Sequence, residues 1–193
     1  RSKKDRLNYY ETRAREVFTN KKSLCIVCPT IAESIEVFDM VSKGIEQRSH
    51  LINGTLSEKK LLTVYREITK NDQSILLVGT ASCISIPIPD VIEYIIHHSS
   101  SPHYKRDIAE PLLDLTYCIE RVAFHTQARC VYADTTIEIS TWQRVRNNEI
   151  NIIEPAQQKI FGGKLKKIRF TLGPEHQDEH SRIKELKHQA QGF

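Results

Sequence analysis

The chain has 193 residues, and its 28 Lys and Arg against 24 Asp and Glu give a formal net charge of +4. Hydrophobic residues at 39% and charged residues at 27% are typical of a globular domain, and the low Gly and Pro content excludes a collagen-like or broadly disordered chain. The apolar runs are far shorter than the roughly 20 residues of a transmembrane helix. The mild positive charge permits a nucleic-acid partner without requiring one.

The amino-terminal residues and the cysteines indicate the compartment. Residues 1–6, Arg-Ser-Lys-Lys-Asp-Arg, have no apolar segment of a signal peptide behind them. Five cysteines are an odd number, which disfavours a secreted disulfide framework. We therefore expect an intracellular protein, in cytoplasm or nucleus. Because the first residue is not Met, we also expect a piece of a longer protein.

Cys25 and Cys28 have the C-x-x-C spacing of a redox motif or a zinc half-site. The second C-x-x-C or the nearby His pair of a zinc site is missing from the sequence around them. They also lie within an apolar run, and on a strand residues i and i+3 point to opposite faces. The pattern favours a buried strand over a metal site.

Strand and helix patterns alternate from residue 23 to residue 97. The predicted strands are 23–29, 49–53, 74–78 and 90–97. A capping box opens the helix after each of the first two strands, Thr30 with Glu33 and Thr55 with Glu58. The predicted apolar face of the first helix is Ile31, Ile35, Phe38, Val41 and Ile45, and that of the second is Leu61, Val64 and Ile68.

The remaining segments complete the predicted architecture. Residues 1–22 form a lead-in helix, 102–111 a loop or broken helix, 112–126 a helix, 130–133 a strand and 135–147 a helix, with a polar tail from residue 173. Strands that alternate with helices predict a parallel sheet covered by helices on both faces. Ligands of such sheets bind at the carboxyl ends of the strands.

Three common nucleotide and hydrolase motifs are absent from the sequence. It contains neither the P-loop G-x-x-x-x-G-K-[ST] nor the dinucleotide motif G-x-G-x-x-G, and it has no G-x-S-x-G nucleophile elbow. The chain is therefore not expected to hydrolyse a nucleotide by itself.

The order and spacing of the segments over residues 23–99 resemble the second RecA-like domain of a superfamily-two helicase or translocase. The matching segments are 27–30 (Val-Cys-Pro-Thr), 50–55 (His-Leu-Ile-Asn-Gly-Thr), 75–80 (Ile-Leu-Leu-Val-Gly-Thr), 85–91 (Ser-Ile-Pro-Ile-Pro-Asp-Val) and 92–97 (Ile-Glu-Tyr-Ile-Ile-His). The resemblance implies an α/β, RecA-like three-layer sandwich with a mostly parallel sheet, an N-terminal helix and a C-terminal extension. The expected division is a lead-in helix at 1–22, the RecA-like domain at 23–130 and the extension at 131–193.

The resemblance also implies which residues act. Contacts to the nucleic-acid backbone would come from Thr30, Gly54, Thr55, Gly79 and Thr80. Hydroxyl groups and free amides at loops and helix starts are suitable donors to phosphate oxygens, and such contacts do not depend on base sequence.

The nucleotide side of the resemblance departs from the family pattern. Ser85 and Pro87 would lie near the bound nucleotide, where the family usually has Gly and Asp or Asn. The family motif Gln-x-x-Gly-Arg-x-x-Arg, whose arginines stabilise the charge of the transition state, is absent from the sequence after the last strand. Arg106 and Arg121 are candidate substitutes that lack its spacing.

Two further clusters have open interpretations. Basic and aromatic residues alternate over 159–170, which predicts either a nucleic-acid patch, with Lys164, Lys166 and Lys167 as contacts, or a solvated edge strand guarded by lysines. His97, His98 and His103 are a possible ligand cluster, but histidines at strand ends are more often surface or capping residues. We predict no metal site.

The resemblance implies the second motor domain of an ATP-dependent DNA or RNA helicase or translocase. It would contact single-stranded or duplex nucleic acid and close an ATP cleft with a first RecA-like domain absent from this chain. ATP and Mg²⁺ would then bind only in the full-length protein, with no cofactor expected for this chain alone. The first alternative is a degenerate, non-hydrolysing helicase-like domain that binds protein or nucleic acid. The second is an unrelated doubly wound domain with a nucleotide-like ligand.

Overall fold

A computed structural model describes residues 3–70, 73–106 and 113–153. The helices are α1 (Lys3–Thr19), α2 (Ile31–Val41), α3 (Glu58–Lys70), α4 (Leu115–His125) and α5 (Ile139–Arg146). The strands are β1 (Ser23–Val27), β2 (Ser49–Ile52), β3 (Leu76–Gly79), β4 (Val91–His97), β5 (Lys105–Arg106), β6 (Leu113–Asp114) and β7 (Arg129–Ala133). Short 3₁₀ helices span Glu46–Arg48, Ala81–Ser85 and Pro102–Tyr104.

Five strands form one parallel sheet in the order β2-β3-β1-β4-β7. The central strand β1 pairs with β3 on one side and with β4 on the other. The predicted α/β class and the mostly parallel sheet are therefore confirmed. The antiparallel pair β5–β6 lies outside this sheet and was not predicted, because 102–111 was read as a loop or broken helix.

Helices cover both faces of the sheet, so the fold has the three predicted layers. On one face α1 and α2 pack against the sheet around Tyr10, Val37 and Ile95. On the other face α3 and α4 contribute Ile68 and Ile119 to a second apolar cluster. Each cluster buries side chains that would otherwise be exposed to water, at about 25 cal/mol for each Å² of apolar surface.

The two faces separate Cys25 from Cys28. Both thiols are fully buried on or next to β1, and each belongs to a different core cluster. The prediction of a buried strand rather than a metal half-site is correct. All five cysteines are free thiols.

The lead-in segment forms α1 and packs directly on the sheet. Tyr10, Ala14 and Val17 are fully buried, and the Arg13 guanidinium donates to the carboxylate of Glu93 on β4 at 3.1 Å. The division of the chain at residues 22 and 130 stays a prediction.

The predicted apolar face of α2 is partly wrong. Ile31 and Ile35 are each 40% exposed, whereas Ser34, Val37 and Val41 are buried. Ser34 can lie inside because its hydroxyl donates to the carbonyl of Ile31, and its oxygen accepts from the side-chain amide of Asn53. The helix also ends at Val41, before the predicted face residue Ile45.

The predicted start and face of α3 are also corrected. The helix begins at Glu58, and its first free amides are served by the Ser57 hydroxyl, which accepts from the amide of Lys60 at 3.5 Å, rather than by Thr55. Ile68 is the one fully buried residue of this helix, and Leu61 is 39% exposed. The first turns of α3 border a surface pocket instead of the core, which explains their exposed apolar side chains.

Within the described residues, no helix is long and apolar enough to cross a membrane. The tail predicted from residue 173, and Lys164, Lys166 and Lys167, lie outside the described residues.

Candidate nucleic-acid interface at the carboxyl edge of the sheet

Three of the predicted contact loops leave adjacent strands at the same edge of the sheet. Thr30 follows β1, Gly54 and Thr55 follow β2, and Thr80 follows β3. Since β2, β3 and β1 are neighbours and parallel, their carboxyl ends meet at one edge. The fold thus brings together the loops that the sequence motifs single out.

Thr30 is the N-cap of α2. Its oxygen accepts from the backbone amide of Glu33 at 3.2 Å, and its hydroxyl donates to the Glu33 carboxylate at 2.8 Å. This confirms Thr30 as the predicted N-cap, whereas the Glu33 carboxylate accepts from the Thr30 hydroxyl rather than from a free backbone amide. The hydroxyl is therefore occupied within the protein, and the loop amides are the groups left for a ligand.

The loop after β2 is shaped by Asn53. The buried Asn53 side chain accepts from the backbone amide and the hydroxyl of Thr55, at 3.1 and 2.7 Å, which is an Asx turn. Its amide group donates to Ser34 of α2 at 3.2 Å. Gly54 and Thr55 are consequently held at the surface and exposed. The sequence analysis assigns no functional role to Asn53, although its side chain positions both of them.

The loop after β3 is fixed by backbone bonds. The amide of Thr80 donates to the carbonyl of Ile52 at 3.0 Å, and the Gly79 carbonyl accepts from the amide of Cys28 at 2.7 Å. Gly79 is buried, so it shapes this edge rather than offering a surface. The Thr80 hydroxyl lies 3.2 Å from that of Ser82 and is half-buried.

A pocket of about 360 Å³ lies beside this edge, between the β2–α3 loop, α3 and the 3₁₀ helix that follows β3. Its lining residues are Ile52, Asn53, Gly54, Leu56, Leu61, Leu62, Tyr65, Ser82, Ser85 and Ile86. Gly54 and Ser85, predicted for the nucleic acid and the nucleotide respectively, thus border one cavity. Pro87 is exposed and is not among the residues that line it.

The two arginine candidates occupy different elements. Arg106 lies on β5, paired with Leu113 of β6. Arg121 is exposed on α4, with its guanidinium 5.0 Å from the centre of the Phe124 ring, a cation–π contact.

A side-chain cluster at the ends of β1 and β4 contains two of the histidines that the sequence analysis names, His97 and His98, and a third member that it misses, Glu33. Glu33, His97 and His98 each direct one possible ligand atom so that these atoms lie within 4.8 Å of one another. The sequence analysis favours surface or capping positions for the histidines, but His97 is buried. His103 is exposed and lies outside the cluster. The sequence predicts Glu33 only as a capping residue, so the carboxylate partner of the two histidines is not predicted.

Neither a known protein family nor a curated protein matches this sequence. Among solved structures, the chain is similar to the crystal structure of T4 UvsW, with a TM-score of 0.42 and 8% identity over 68% of this chain and 28% of that one. It is also similar to Mss116p DEAD-box helicase domain 2 bound to an RNA duplex, with a TM-score of 0.40 and 13% identity over 72% of this chain and 61% of that one. The chain spans less than two thirds of the length of either matched structure.

Proposed function

We propose that this chain carries the second motor domain of an ATP-dependent helicase or translocase, and that the carboxyl edge of its sheet contacts a nucleic-acid backbone. The observation that carries the proposal is the meeting of three loops at the adjacent ends of β1, β2 and β3. These loops contain the segments that resemble the helicase motifs.

The chemistry of this edge suits phosphate groups. Thr55 presents an exposed side chain, and the start of α2 carries amides that have no partner within the helix. Amides and hydroxyls bind phosphate oxygens without reading the bases, as a protein that moves along a strand requires. Lys164, Lys166 and Lys167 would add the electrostatic part of the affinity.

The described residues could form at most one wall of a nucleotide-binding site. Ser85 is exposed, but its hydroxyl already donates to the carbonyl of Ser82 at 2.8 Å, and Arg121 stacks on Phe124. The sequence offers no P-loop to hold the phosphates or Mg²⁺. ATP and Mg²⁺ would therefore be held mainly by a first RecA-like domain, and this chain would close the ATP cleft from the other side. We propose that the protein acts inside the cell.

The proposal is tested by titrating the full chain against fluorescent single-stranded RNA and DNA at several salt concentrations. We expect binding that weakens as salt rises, because phosphate contacts release counterions. Thr80→Ala should lower the affinity roughly tenfold or more, since a hydrogen bond to a charged group contributes about 1.5–3 kcal/mol. Thr55→Ala should also weaken binding, because it removes the hydroxyl bond to Asn53 that holds this loop at the interface. Neutralising Lys164, Lys166 and Lys167 together should reduce the salt slope by about 2.

Thr69→Ala is the matched control. Thr69 is an exposed threonine near the end of α3, its hydroxyl donates to the carbonyl of Tyr65, and it is remote in sequence from all three loops. Its removal should leave binding unchanged. Absence of binding at low salt, or an equal loss with Thr69→Ala, would refute the proposed interface.

A further inference from the structure

The cluster at the ends of β1 and β4 combines two imidazoles with a carboxylate. Glu33 lies in the first turn of α2, His97 is the last residue of β4, and His98 directly follows it. The Nδ1 atom of His98 is 2.7 Å from Oε1 of Glu33, and one ligand atom from each of the three residues lies within 4.8 Å of the others. The three residues come from two elements that are far apart in sequence.

The parallel pairing of β1 and β4 builds this cluster. Val27 at the end of β1 is opposite Ile96 of β4, so the helix that follows β1 begins beside His97 and His98. His98 has a φ of 53°, a left-handed conformation that few residues adopt. Its ring stacks on that of His97, with the ring centres 5.1 Å apart.

Backbone and side-chain partners hold both rings in place. The amide of His98 donates to the carbonyl of Ala133 at 2.8 Å. Nδ1 of the buried His97 is 2.9 Å from the hydroxyl of Tyr10 on α1. A histidine that binds a metal through one nitrogen usually donates its other N–H to an oxygen, and Tyr10 supplies such an oxygen here.

The surrounding charges also distinguish a cation from an anion. The charged or titratable groups that act on His97 are Arg6, Glu33, His98 and Asp134. Two carboxylates thus oppose one guanidinium, that of the buried Arg6, whose Nε and Nη1 have no hydrogen-bond partner among the described residues. A divalent cation is attracted by the two carboxylates and repelled by the one guanidinium, so the sum of these formal charges favours a cation over an anion.

We propose that Glu33, His97 and His98 bind one Zn²⁺ ion, with a fourth position left to water. Two histidines and one glutamate form a known three-residue zinc ligand set. Zinc bonds of about 2.0–2.1 Å place tetrahedral ligand atoms roughly 3.3 Å apart. Small rotations of half-exposed Glu33 and His98 side chains would bring the three atoms to that spacing. The ion joins the start of α2 to the end of β4.

The test is zinc binding by the full chain after removal of metals with a chelator. We expect one Zn²⁺ per chain in a competition titration against a chromogenic chelator, and a higher melting temperature with zinc. Glu33→Gln and His98→Gln should each weaken this binding at least about tenfold, because loss of a supporting residue alone costs about 10–100-fold. Both side chains are partly exposed, 24% and 40%, so these variants should fold.

His125→Gln is the control, because His125 is an exposed histidine on α4 outside the cluster. It should bind zinc as the unchanged chain does. Tyr10→Phe should weaken binding about tenfold without changing the stoichiometry. No zinc binding by the unchanged chain would overturn the proposal. Equal affinity in Glu33→Gln and His98→Gln would overturn it too, since the ion would then be held by other residues.

Discussion

Gly79 packs directly against the main chain of Ile52: a Cβ atom on Gly79 would lie 2.0 Å from the Ile52 carbonyl oxygen. That oxygen accepts the hydrogen bond of the Thr80 amide, so the ends of β2 and β3 are held together at this point. The glycine that the sequence singled out as a nucleic-acid contact is therefore required by the close approach of two strands.

Gly79→Ala should lower the free energy of unfolding by about 1–3 kcal/mol or more, because the added methyl group meets backbone that cannot give way. Urea denaturation monitored by circular dichroism measures the change. Gly54→Ala is the control, since its Cβ would meet only Cδ1 of Ile31, at 3.6 Å. A loss for Gly79→Ala no larger than that for Gly54→Ala would contradict this role.

Tyr104→Phe should cost about 1–2 kcal/mol of stability. The hydroxyl of this buried tyrosine lies 2.8 Å from the carbonyl oxygens of both Val27 and His97, at the ends of β1 and β4. Removing it leaves carbonyls without this donor. Thermal or urea unfolding checks the loss, and Tyr117→Phe, at a 59% exposed tyrosine, should change nothing.

The buried carboxylate of Glu93 should make its two arginine partners interdependent. Glu93 is fully buried and accepts from Nε of Arg13 at 3.1 Å and from Nε of Arg129 at 2.8 Å. Replacing both arginines by Gln leaves a buried charge without a partner, which should cost about 3 kcal/mol or more. Urea unfolding of the single and double variants measures their coupling.

Glu93→Gln, added to that double variant, is the informative comparison. It removes the unpaired charge, so stability should largely return. If the triple variant were as unstable as the double variant, the loss would come from the packing of the arginine stems and not from charge.

The ion pair between α4 and α5 should make stability fall in acid. The hydrogen-bonded guanidinium of Arg144 lowers the pKa of Glu120 below its usual value, and Tyr132 also donates to this carboxylate, at 2.7 Å. A lowered pKa in the folded state stabilises the protein above the unfolded pKa of about 4.3, and this contribution is lost as the pH falls through the folded value. Its size should be about 1 kcal/mol or less, since both groups are partly exposed.

Unfolding measured from pH 7 to pH 3 tests this dependence. The free energy of unfolding of Arg144→Gln should fall less between pH 7 and pH 3 than that of the unchanged chain. Arg146→Gln, an exposed arginine on the same helix, should leave the profile unchanged. Identical profiles for Arg144→Gln and the unchanged chain would show that the pair does not contribute.

The order of strands and helices was predictable because each element carries its own local signal. The apolar run that contains β1 and the Thr30 cap of α2 can both be read from adjacent residues, and both are confirmed. The exposed faces were not predictable in this way. Leu61 and Tyr65 on α3 have the spacing of core residues, but which part of the helix reaches the sheet depends on the loop before it.

Side-chain clusters depend still more on tertiary pairing. Glu33 and His98 meet only because β1 and β4 are neighbours, and this adjacency has no signal in either segment. The histidines were visible in the sequence as a pair, but their carboxylate partner was not. Similarly, the Asx turn of Asn53 replaced the cap predicted for Thr55, since both patterns use the same short polar residues.

The central place of β1 in the sheet has a consequence for synthesis of the protein. Leu24, Cys25 and Ile26 are made before their neighbours on β3 and β4, which follow only at Leu76 and beyond. Until then a segment that is fully buried in the folded chain has no strand to pair with as it leaves the ribosome. Such delayed long-range pairing is slow and prone to aggregation. Nascent chains that end before residue 97 should therefore depend on chaperones more than chains that extend beyond this residue do.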